Sequence, residues 1–166
     1  MDYRKEYEKW LASPALSEDE RAELRALEGN DKEIKARFYG PLEFGTAGLR
    51  GTMYTGLHNM NRHVIRWATQ GFANVIRAEG TEAMQKGVAV CMDCRNHSAE
   101  FARETACVMA ANGIHVRLFE SLRPTPELSF AVREYGCQAG VNVTASHNPK
   151  EYNGYKVYWA DGAQLP

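Results

Sequence analysis

The sequence of 166 residues lacks any apolar run close to the roughly 20 residues that a transmembrane helix needs. Its first ten residues, MDYRKEYEKW, are charged and contain no apolar core of a secretory signal. Cysteine is also scarce, and four thiols without a signal indicate a reducing compartment rather than a disulfide framework. We therefore expect a cytoplasmic protein with no membrane partner.

An excess of charge of either sign is absent as well. The formal net charge is -1, whereas recognition of a nucleic-acid backbone usually requires a clear excess of lysine and arginine. Nucleic acid is therefore not an expected partner. Hydrophobic residues make up 44% and charged residues 25%, which is the usage of an ordinary globular protein. This length allows one α/β domain with a full core and is marginal for two.

Residues 1–40 have the pattern of short helices. Ser17 and Glu20 form a capping-box pattern, which predicts a helix start. Asp31 is the predicted N-cap of a further short helix. Trp10 is expected to anchor an earlier helix to the rest of the protein. The segment is therefore interpreted as a helical N-terminal extension rather than a domain.

From residue 41 the pattern changes. Glycines crowd into residues 44–56, FGTAGLRGTMYTG, and exclude a regular helix there. Apolar strands then alternate with helices across short connections, which predicts a sheet covered by helices. The predicted helices start at Asn61 and Ser98, as caps, and at Thr125, with Pro126 as the first helical residue. The predicted strands include Val88–Met92, Ile114–Leu118, Ala139–Val143 and Tyr155–Trp159.

Residues 141–159, VNVTASHNPKEYNGYKVYW, carry the strongest indication of chemistry. An apolar strand leads into Ser146 and His147, at the kind of strand end where α/β proteins place functional loops. A hydroxyl beside an imidazole, in a backbone fixed by Asn, Pro and Gly, suits a nucleophile. A hairpin-like return would bring the ammonium group of Lys156 back toward the serine. The alternative is an ordinary connecting turn, because the same residue types are common in turns.

Four motifs, in the order of the family, resemble the α-D-phosphohexomutases, which include phosphoglucomutases and phosphomannomutases. FGTAGLRG resembles the family's opening substrate-side motif, and TASHNP followed by NGYK resembles its phosphoserine loop. Asp93-Cys94-Arg95 with Ser98 resembles its D-x-R-x-x-S segment, and LRPTP at 122–126 resembles its PTP turn. The first 40 residues resemble the helical extension of the subgroup related to phosphopentomutases and glucose-1,6-bisphosphate synthases.

The predicted fold class is α/β. We expect a three-layer α/β/α domain with a mixed sheet over residues 41–166, preceded by the helical extension at 1–40. The resemblance implies that 41–166 is the phosphoserine-bearing domain I. A complete family member would continue past this point, so the remaining domains of the same chain are expected partners that are absent here.

The resemblance also implies roles for individual residues. Ser146 would carry the transferable phosphate, and His147 would orient that phosphate or assist proton transfer. Lys156 would act in acid–base or charge-stabilising work. Arg50 would contact phosphate at the transfer centre, where its planar fork suits phosphate oxygens. The implied substrate- and phosphate-binding residues are Gly45, Thr46, Arg50 and Asn148.

The implied function is that of a sugar phosphomutase, which moves phosphate between carbon 1 and carbon 6 (or carbon 5) of a sugar through a bisphosphate intermediate. The expected ligands are a sugar phosphate substrate, a glucose-1,6-bisphosphate-type activator and Mg²⁺. The phosphate on Ser146 would bind Mg²⁺ together with ligands in a missing domain. Asp93 is the only aspartate between Asp31 and Asp161, whereas a hard cation needs several oxygen ligands. We therefore expect this chain alone to be inactive.

Other functions remain as alternatives. A non-catalytic phosphosugar-binding or assembly domain could have the same fold, but such a domain would not need Ser146, His147, Lys156 and Arg50 together. A serine hydrolase is disfavoured because no G-x-S-x-G pattern surrounds the serine. GTAGLRG matches neither the dinucleotide-binding nor the Walker pattern, which disfavours a nucleotide cofactor.

The spacing Cys91-x-x-Cys94-x-x-His97 is similar to that of a metal site. A structural zinc site usually needs four ligands from two such pairs, and no second pair is present in the sequence. The apolar surroundings of Cys91 also disfavour a redox C-x-x-C motif, which normally opens a helix. We therefore interpret these residues as ordinary packing.

Overall fold

The computed structural model describes residues 2–46 and 48–165, so Met1, Ala47 of the glycine-rich motif and Pro166 lie outside the described residues. Five strands in the described residues form one sheet in the order β1-β5-β4-β2-β3. β2 is parallel to β3 and β4, whereas β5 is antiparallel to β4 and β1, so the sheet is mixed. The strands are β1 (Leu49–Thr52), β2 (Val88–Met92), β3 (Val116–Leu118), β4 (Ala139–Val143) and β5 (Tyr152–Trp159).

Seven helices accompany the sheet in the described part of the chain. They are α1 (Tyr3–Leu11), α2 (Glu18–Arg25), α3 (Asp31–Phe38), α4 (Arg62–Ala78), α5 (Thr81–Lys86), α6 (Ser98–Ala111) and α7 (Thr125–Glu134). α4 and α6 share the larger core with one face of the sheet, and α7 packs on the other face. The predicted three-layer α/β/α fold with a mixed sheet is confirmed.

The central strands are buried on both faces. Val88 and Val90 of β2 belong to the larger core under α4 and α6, whereas Ala89 and Cys91 belong to the smaller core under α7. Successive side chains of a strand point to opposite faces, so one strand supplies both cores. Burial on both faces explains why β2 is a continuous apolar run rather than an alternating one.

The N-terminal extension is helical, as predicted, and has a small core of its own. Phe38 is fully buried there, and the ring of Trp10 packs edge-on against it. The same Trp10 ring also packs against His63 at the start of α4, with ring centroids 5.6 Å apart. Trp10 therefore anchors the extension to the body of the protein, in agreement with the sequence-based expectation.

A polar contact strengthens the same connection. Ser17 and Glu20 form the predicted capping box at the start of α2. The carboxylate of Glu20 also accepts hydrogen bonds from Arg62 at 2.7 Å and from His63 at 3.0 Å. One carboxylate thus caps its own helix and binds the first turn of α4.

Two predicted helix caps are wrong in detail. Asn30, not Asp31, caps α3, because its side-chain oxygen accepts a hydrogen bond from the backbone nitrogen of Glu33 at 3.2 Å. Ser98 is the first residue of α6 rather than its cap. Its hydroxyl donates instead to Oδ1 of Asp93 at 2.8 Å, so a tertiary contact replaces the local one.

Three further differences come from tertiary context. α7 begins at Thr125, which places Pro126 second rather than first in the helix. α5 was not expected from the sequence, and neither was β1, which lies inside the glycine-rich segment. β1 exists because its backbone pairs with β5, a partner that is about 100 residues away in the sequence. Within the described residues, no helix is both long and apolar enough to span a bilayer.

Candidate active site

Ser146 lies on the loop that joins β4 to β5. The two residues before it, Thr144 and Ala145, are buried, whereas Ser146 itself is exposed. Its backbone nitrogen donates to the hydroxyl of Thr144 at 2.9 Å. Its φ of 57° lies in the left-handed region, which costs a non-glycine residue about 1 kcal/mol. Surrounding contacts must therefore hold the serine in this conformation.

His147 is exposed beside the serine. Its Nδ1 lies 3.4 Å from Oγ of Ser146, which is longer than the usual distance between a nucleophile and its base. The distance is therefore longer than in a serine–histidine pair in which the histidine already activates the serine. An imidazole at this distance can contact a group attached to the serine oxygen.

Arg50 reaches the serine loop from β1. Its Nη1 donates to Oδ1 of Asn148 at 3.2 Å, while its Nε is buried and has no hydrogen-bond partner among the described residues. Arg50 pairs with Gly154 across the two antiparallel strands. A Cβ atom at Gly154 would lie 2.9 Å from the carbonyl oxygen of Leu49 and 3.3 Å from Cγ of Arg50. The glycine therefore leaves room for the arginine stem.

Lys156 lies on β5 on the same side of the sheet as Arg50. It follows Gly154 by two residues, and residues two apart in a strand share a face. Burial, and to a lesser extent the charge of Arg50, lower the pKa of Lys156 below its usual value. The two cations are therefore close enough to influence each other electrostatically.

The turn that contains Gly45 and Thr46 lies over β5. Gly45 and Gly48 exchange two backbone hydrogen bonds, of 3.2 and 3.0 Å. Gly48 has a φ of 84°, and a side chain on it would collide with the carbonyl oxygen of Tyr155 and lie 3.1 Å from Cα of Lys156. Gly45 and Thr46 are themselves exposed. The predicted substrate-side motif therefore lies beside the lysine of the predicted site.

The structure places the predicted residues on β1, on β5, on the loop before β5 and on the turn before β1, and some of them are in contact. Ser146 approaches His147, and Arg50 binds Asn148. Within the described residues, neither Arg50 nor Lys156 donates a hydrogen bond to Ser146. The site is an exposed hydroxyl with two cations on neighbouring strands, which can accommodate an anionic group between them.

Arg95 is a site residue to which the sequence assigned no role. It lies just after β2, and its guanidinium donates to four backbone carbonyls of the serine loop and its return, those of Ser146, Asn148, Pro149 and Tyr152. A signal was present, because β2 is parallel to β4 and residues after neighbouring parallel strands meet at one edge of the sheet. The D-x-R-x-x-S resemblance identified the segment but did not indicate that Arg95 binds the serine loop.

The described part of the chain offers no carboxylate cluster of the kind that a magnesium site requires. Among residues 2–46 and 48–165, no three His, Cys, Asp or Glu side chains are grouped to hold a metal ion. This includes the Cys91-x-x-Cys94 pair. Cys91 is buried in β2, and burial raises the pKa of its thiol to about 11, whereas Cys94 is exposed. The described residues therefore do not fit a complete Mg²⁺ site.

Comparison with known proteins identifies the family. The model of the phosphoglucomutase/phosphomannomutase α/β/α domain I matches residues 41–166. The chain belongs to this family. A human phosphopentomutase is 43% identical to this chain over 144 residues, which cover 83% of the chain and 24% of the human protein. A phosphoglucomutase of Staphylococcus aureus (strain COL) is 43% identical over 136 residues, which cover 82% of the chain and 24% of that protein.

Solved structures agree with the assignment. A crystal structure from Thermus thermophilus, described as a phosphomannomutase, superimposes with a TM-score of 0.69 at 32% identity, over 76% of the chain and 27% of that protein. A phosphoglucomutase/phosphomannomutase family protein from Burkholderia thailandensis gives a TM-score of 0.61 at 26% identity, over 74% of the chain and 27% of that protein. The chain thus spans about a quarter of the length of the relatives it matches.

Proposed function

We propose that this domain carries the phosphoserine of a sugar phosphomutase, with Ser146 as the residue that gives and takes back the phosphoryl group. The observation that carries the proposal is the exposed Ser146 hydroxyl on a loop that Arg50 binds through Asn148, with Lys156 on the same sheet face. Phosphoryl transfer mainly requires positioning and neutralisation of charge, so cations near the serine matter more than a strong base.

In the proposed reaction, a hydroxyl oxygen of the sugar phosphate attacks the phosphorus atom on phosphorylated Ser146. The bond from phosphorus to Oγ breaks and a bond to the sugar oxygen forms. The proton of the sugar hydroxyl passes, by way of Lys156, to Oγ of Ser146, which becomes a hydroxyl again. The resulting bisphosphate reorients and returns its other phosphate to Ser146. The net result moves phosphate between carbon 1 and carbon 6, or carbon 5, of the sugar.

The surrounding residues suit this chemistry. A planar guanidinium at Arg50, whose second amino group makes no hydrogen bond among the described residues, matches phosphate oxygens. The lowered pKa of Lys156 makes its neutral form easier to reach than that of an ordinary lysine, which suits a group that exchanges a proton. His147 would contact the phosphate on Ser146, and Gly45 and Thr46 would line the entrance for the sugar.

Mg²⁺ and a glucose-1,6-bisphosphate-type activator belong to the same proposal. When bound, Mg²⁺ would neutralise charge on the transferring phosphate. Since the described residues supply no carboxylate cluster, the phosphate on Ser146 would be the contribution of this domain to the ion. The length of the relatives supports the proposal that the other ligands and the sugar-reading residues lie in further domains of the complete protein.

The test uses the complete protein that contains this domain. Incubation with a sugar bisphosphate should add one phosphate to the peptide that carries Ser146, as measured by peptide mass spectrometry, and Ser146→Ala should abolish both this label and mutase turnover. Ser121→Ala is a matched control, because Ser121 is also an exposed loop serine. Label on another residue, or turnover that survives in Ser146→Ala, would refute the proposal. Binding of sugar phosphate without any label would favour the non-catalytic alternative.

A further inference from the structure

We propose that Arg95 is a positioning residue for the phosphoryl-transfer step, because it binds four backbone carbonyls of the serine loop and its return and so holds Ser146 in one conformation. The inference deepens the proposed function and rests on it. Arg95 would not bind the substrate phosphate. Its role would be to fix the direction in which the Ser146 hydroxyl points.

Both amino groups of Arg95 are occupied. Nη2 donates to the carbonyl oxygens of Ser146 at 2.8 Å and Asn148 at 2.7 Å. Nη1 donates to those of Pro149 at 2.9 Å and Tyr152 at 3.0 Å. A guanidinium has five N–H donors, and the fifth, on Nε, forms an ion pair with Oδ2 of Asp93 at 3.4 Å. The guanidinium is thus engaged by the protein itself, which distinguishes Arg95 from Arg50.

Asp93 fixes the arginine in turn. Its Oδ1 accepts from the backbone nitrogen of Arg95 at 3.0 Å and from the hydroxyl of Ser98 at 2.8 Å. Asn153 of β5 donates to the same Ser98 hydroxyl at 3.0 Å. The guanidinium is thus held by the end of β2, the start of α6 and the start of β5. Such a network resists displacement of the loop better than an isolated contact does.

The backbone of Ser146 is hydrogen-bonded at both its nitrogen and its carbonyl oxygen. The nitrogen of Ser146 is bound by the Thr144 hydroxyl, and its carbonyl is bound by Arg95. With both ends held, the residue stays at a φ of 57°, a conformation that a serine rarely adopts unaided. The direction of the Cα–Cβ bond, and so the position of Oγ, follows from this backbone conformation.

Asn148 is held from two sides. Its carbonyl accepts from Arg95, and its side chain accepts from Arg50. Loss of Arg95 would release the loop carbonyls but leave Arg50 and Lys156 on their strands. Binding of the sugar phosphate should then change little, whereas alignment of the serine oxygen should be lost. Misplacement of a reacting atom by about 1 Å can lower a rate about 100-fold.

The experiment measures single-turnover phosphorylation of Ser146 and steady-state kcat and KM in the complete protein. For Arg95→Ala we expect kcat and the phosphorylation rate to fall about 100-fold, while KM changes less than about threefold. Millimolar guanidinium should restore part of the rate in Arg95→Ala only. Arg95→Lys, with three donors on one nitrogen, should be intermediate. Arg66→Ala is the control, because it removes two hydrogen bonds to Glu104 on the helical layer.

Hydrogen exchange of the peptide covering 144–152 gives a second readout that does not depend on the reaction. Faster exchange in Arg95→Ala than in Arg66→Ala, with a slower phosphorylation rate and guanidinium rescue, supports the proposal. An Arg95→Ala rate equal to that of Arg66→Ala, or a loss that appears only in KM, overturns it while the proposed function stands. If the wild-type protein is not phosphorylated on Ser146, the proposed function is refuted. This inference is then refuted too, even if hydrogen exchange is faster in Arg95→Ala.

Discussion

Nη1 of Arg50 donates a 3.2 Å hydrogen bond to Oδ1 of Asn148, a residue 98 positions later in the chain. The contact joins the glycine-rich motif to the serine loop, and it depends on the pairing of β1 with β5. Arg50 of the glycine-rich motif therefore lies next to Asn148 of the serine loop. Each of the following predictions depends on this geometry or on the fold that produces it.

Removal of the Arg50 charge should impair transfer more than binding. Arg50→Ala should lower kcat about 100- to 1,000-fold, the usual effect of losing a group that stabilises developing charge. Arg50→Lys keeps the charge but loses the planar fork, so about a tenfold loss is expected. The measurement is a coupled mutase assay on the complete protein. Arg103→Ala, an exposed arginine on α6, is the control and should change nothing. An Arg50→Ala variant as active as Arg103→Ala contradicts the prediction.

Lys156 should titrate below the usual lysine pKa of 10.5, because it is partly buried and close to Arg50. NMR titration of its side chain, assigned with Lys156→Arg, measures this pKa. In Arg50→Gln the pKa should rise only in part, since burial is the larger cause. An unchanged pKa in Arg50→Gln would show that the two charges do not interact.

The same shift has a consequence for stability. Between the lowered folded-state pKa of Lys156 and 10.5, the unfolded chain binds more protons than the folded one. Stability should therefore gain a favourable contribution as pH rises through this window. At neutral pH the charged Lys156 destabilises the folded state, because part of its side chain is buried. Lys156→Met should therefore be more stable than wild type at neutral pH, and its stability should lack the increase with pH. Denaturation curves at several pH values test both statements, and a wild-type dependence identical to that of Lys156→Met would contradict them.

Gly154 should tolerate no side chain. A Cβ atom there would lie 2.5 Å from the carbonyl oxygen of Thr144 and 2.9 Å from that of Leu49, so strands must move apart. We expect Gly154→Ala to cost about 2 kcal/mol in urea denaturation. Gly71→Ala is the matched control, since a Cβ on this α4 glycine meets no atom within 4 Å. That substitution should stabilise the helix by about 0.5 to 1 kcal/mol. Equal effects at the two positions would contradict the close strand approach.

Glu20 should link the N-terminal extension to the domain in a pH-dependent manner. Burial opposes its ionisation, but hydrogen bonds from Ser17 and Arg62 and the charge of His63 together lower the pKa of Glu20 below 4.5. Its contribution to stability is then complete above pH 4.5 and lost as pH falls through the lowered folded-state pKa. The stability difference between wild type and Glu20→Gln should shrink over this interval. Glu8→Gln, at an exposed position of α1, should show no such trend.

The 166-residue chain by itself should not catalyse the mutase reaction at ordinary turnover. Its relatives are about four times as long, and its described residues form no complete site for Mg²⁺. A coupled assay with a sugar 1-phosphate checks this expectation. Ordinary turnover by the isolated chain would show that the remaining domains are dispensable.

Much of the fold follows from local sequence patterns. The strand at Val88–Met92 is a continuous apolar run, the one at Ala139–Val143 is apolar apart from Asn142, and both have the predicted bounds. The caps at Ser17 and Asn61 were readable because the capping interactions are local. β1 was not readable, since its four residues form a strand only by pairing with β5.

The candidate site was likewise predictable only in part from the sequence. The sequence indicated Ser146, His147 and Lys156 because strand ends, turn residues and the family resemblance all fall in one segment. It did not indicate that Arg95 holds the serine loop, since four backbone carbonyls carry no sequence signature. Family membership is established, whereas the roles of the individual residues remain predictions.

The sequence by itself determined the α/β class, the family and the segment that carries the serine, because periodicity, caps and motifs are properties of neighbouring residues. Only the tertiary structure decided that Arg50 binds Asn148 and that Arg95 binds backbone carbonyls of the serine loop. These contacts join residues about 50 to 100 positions apart, and they form only after the sheet has brought strand ends of fixed register to a common edge.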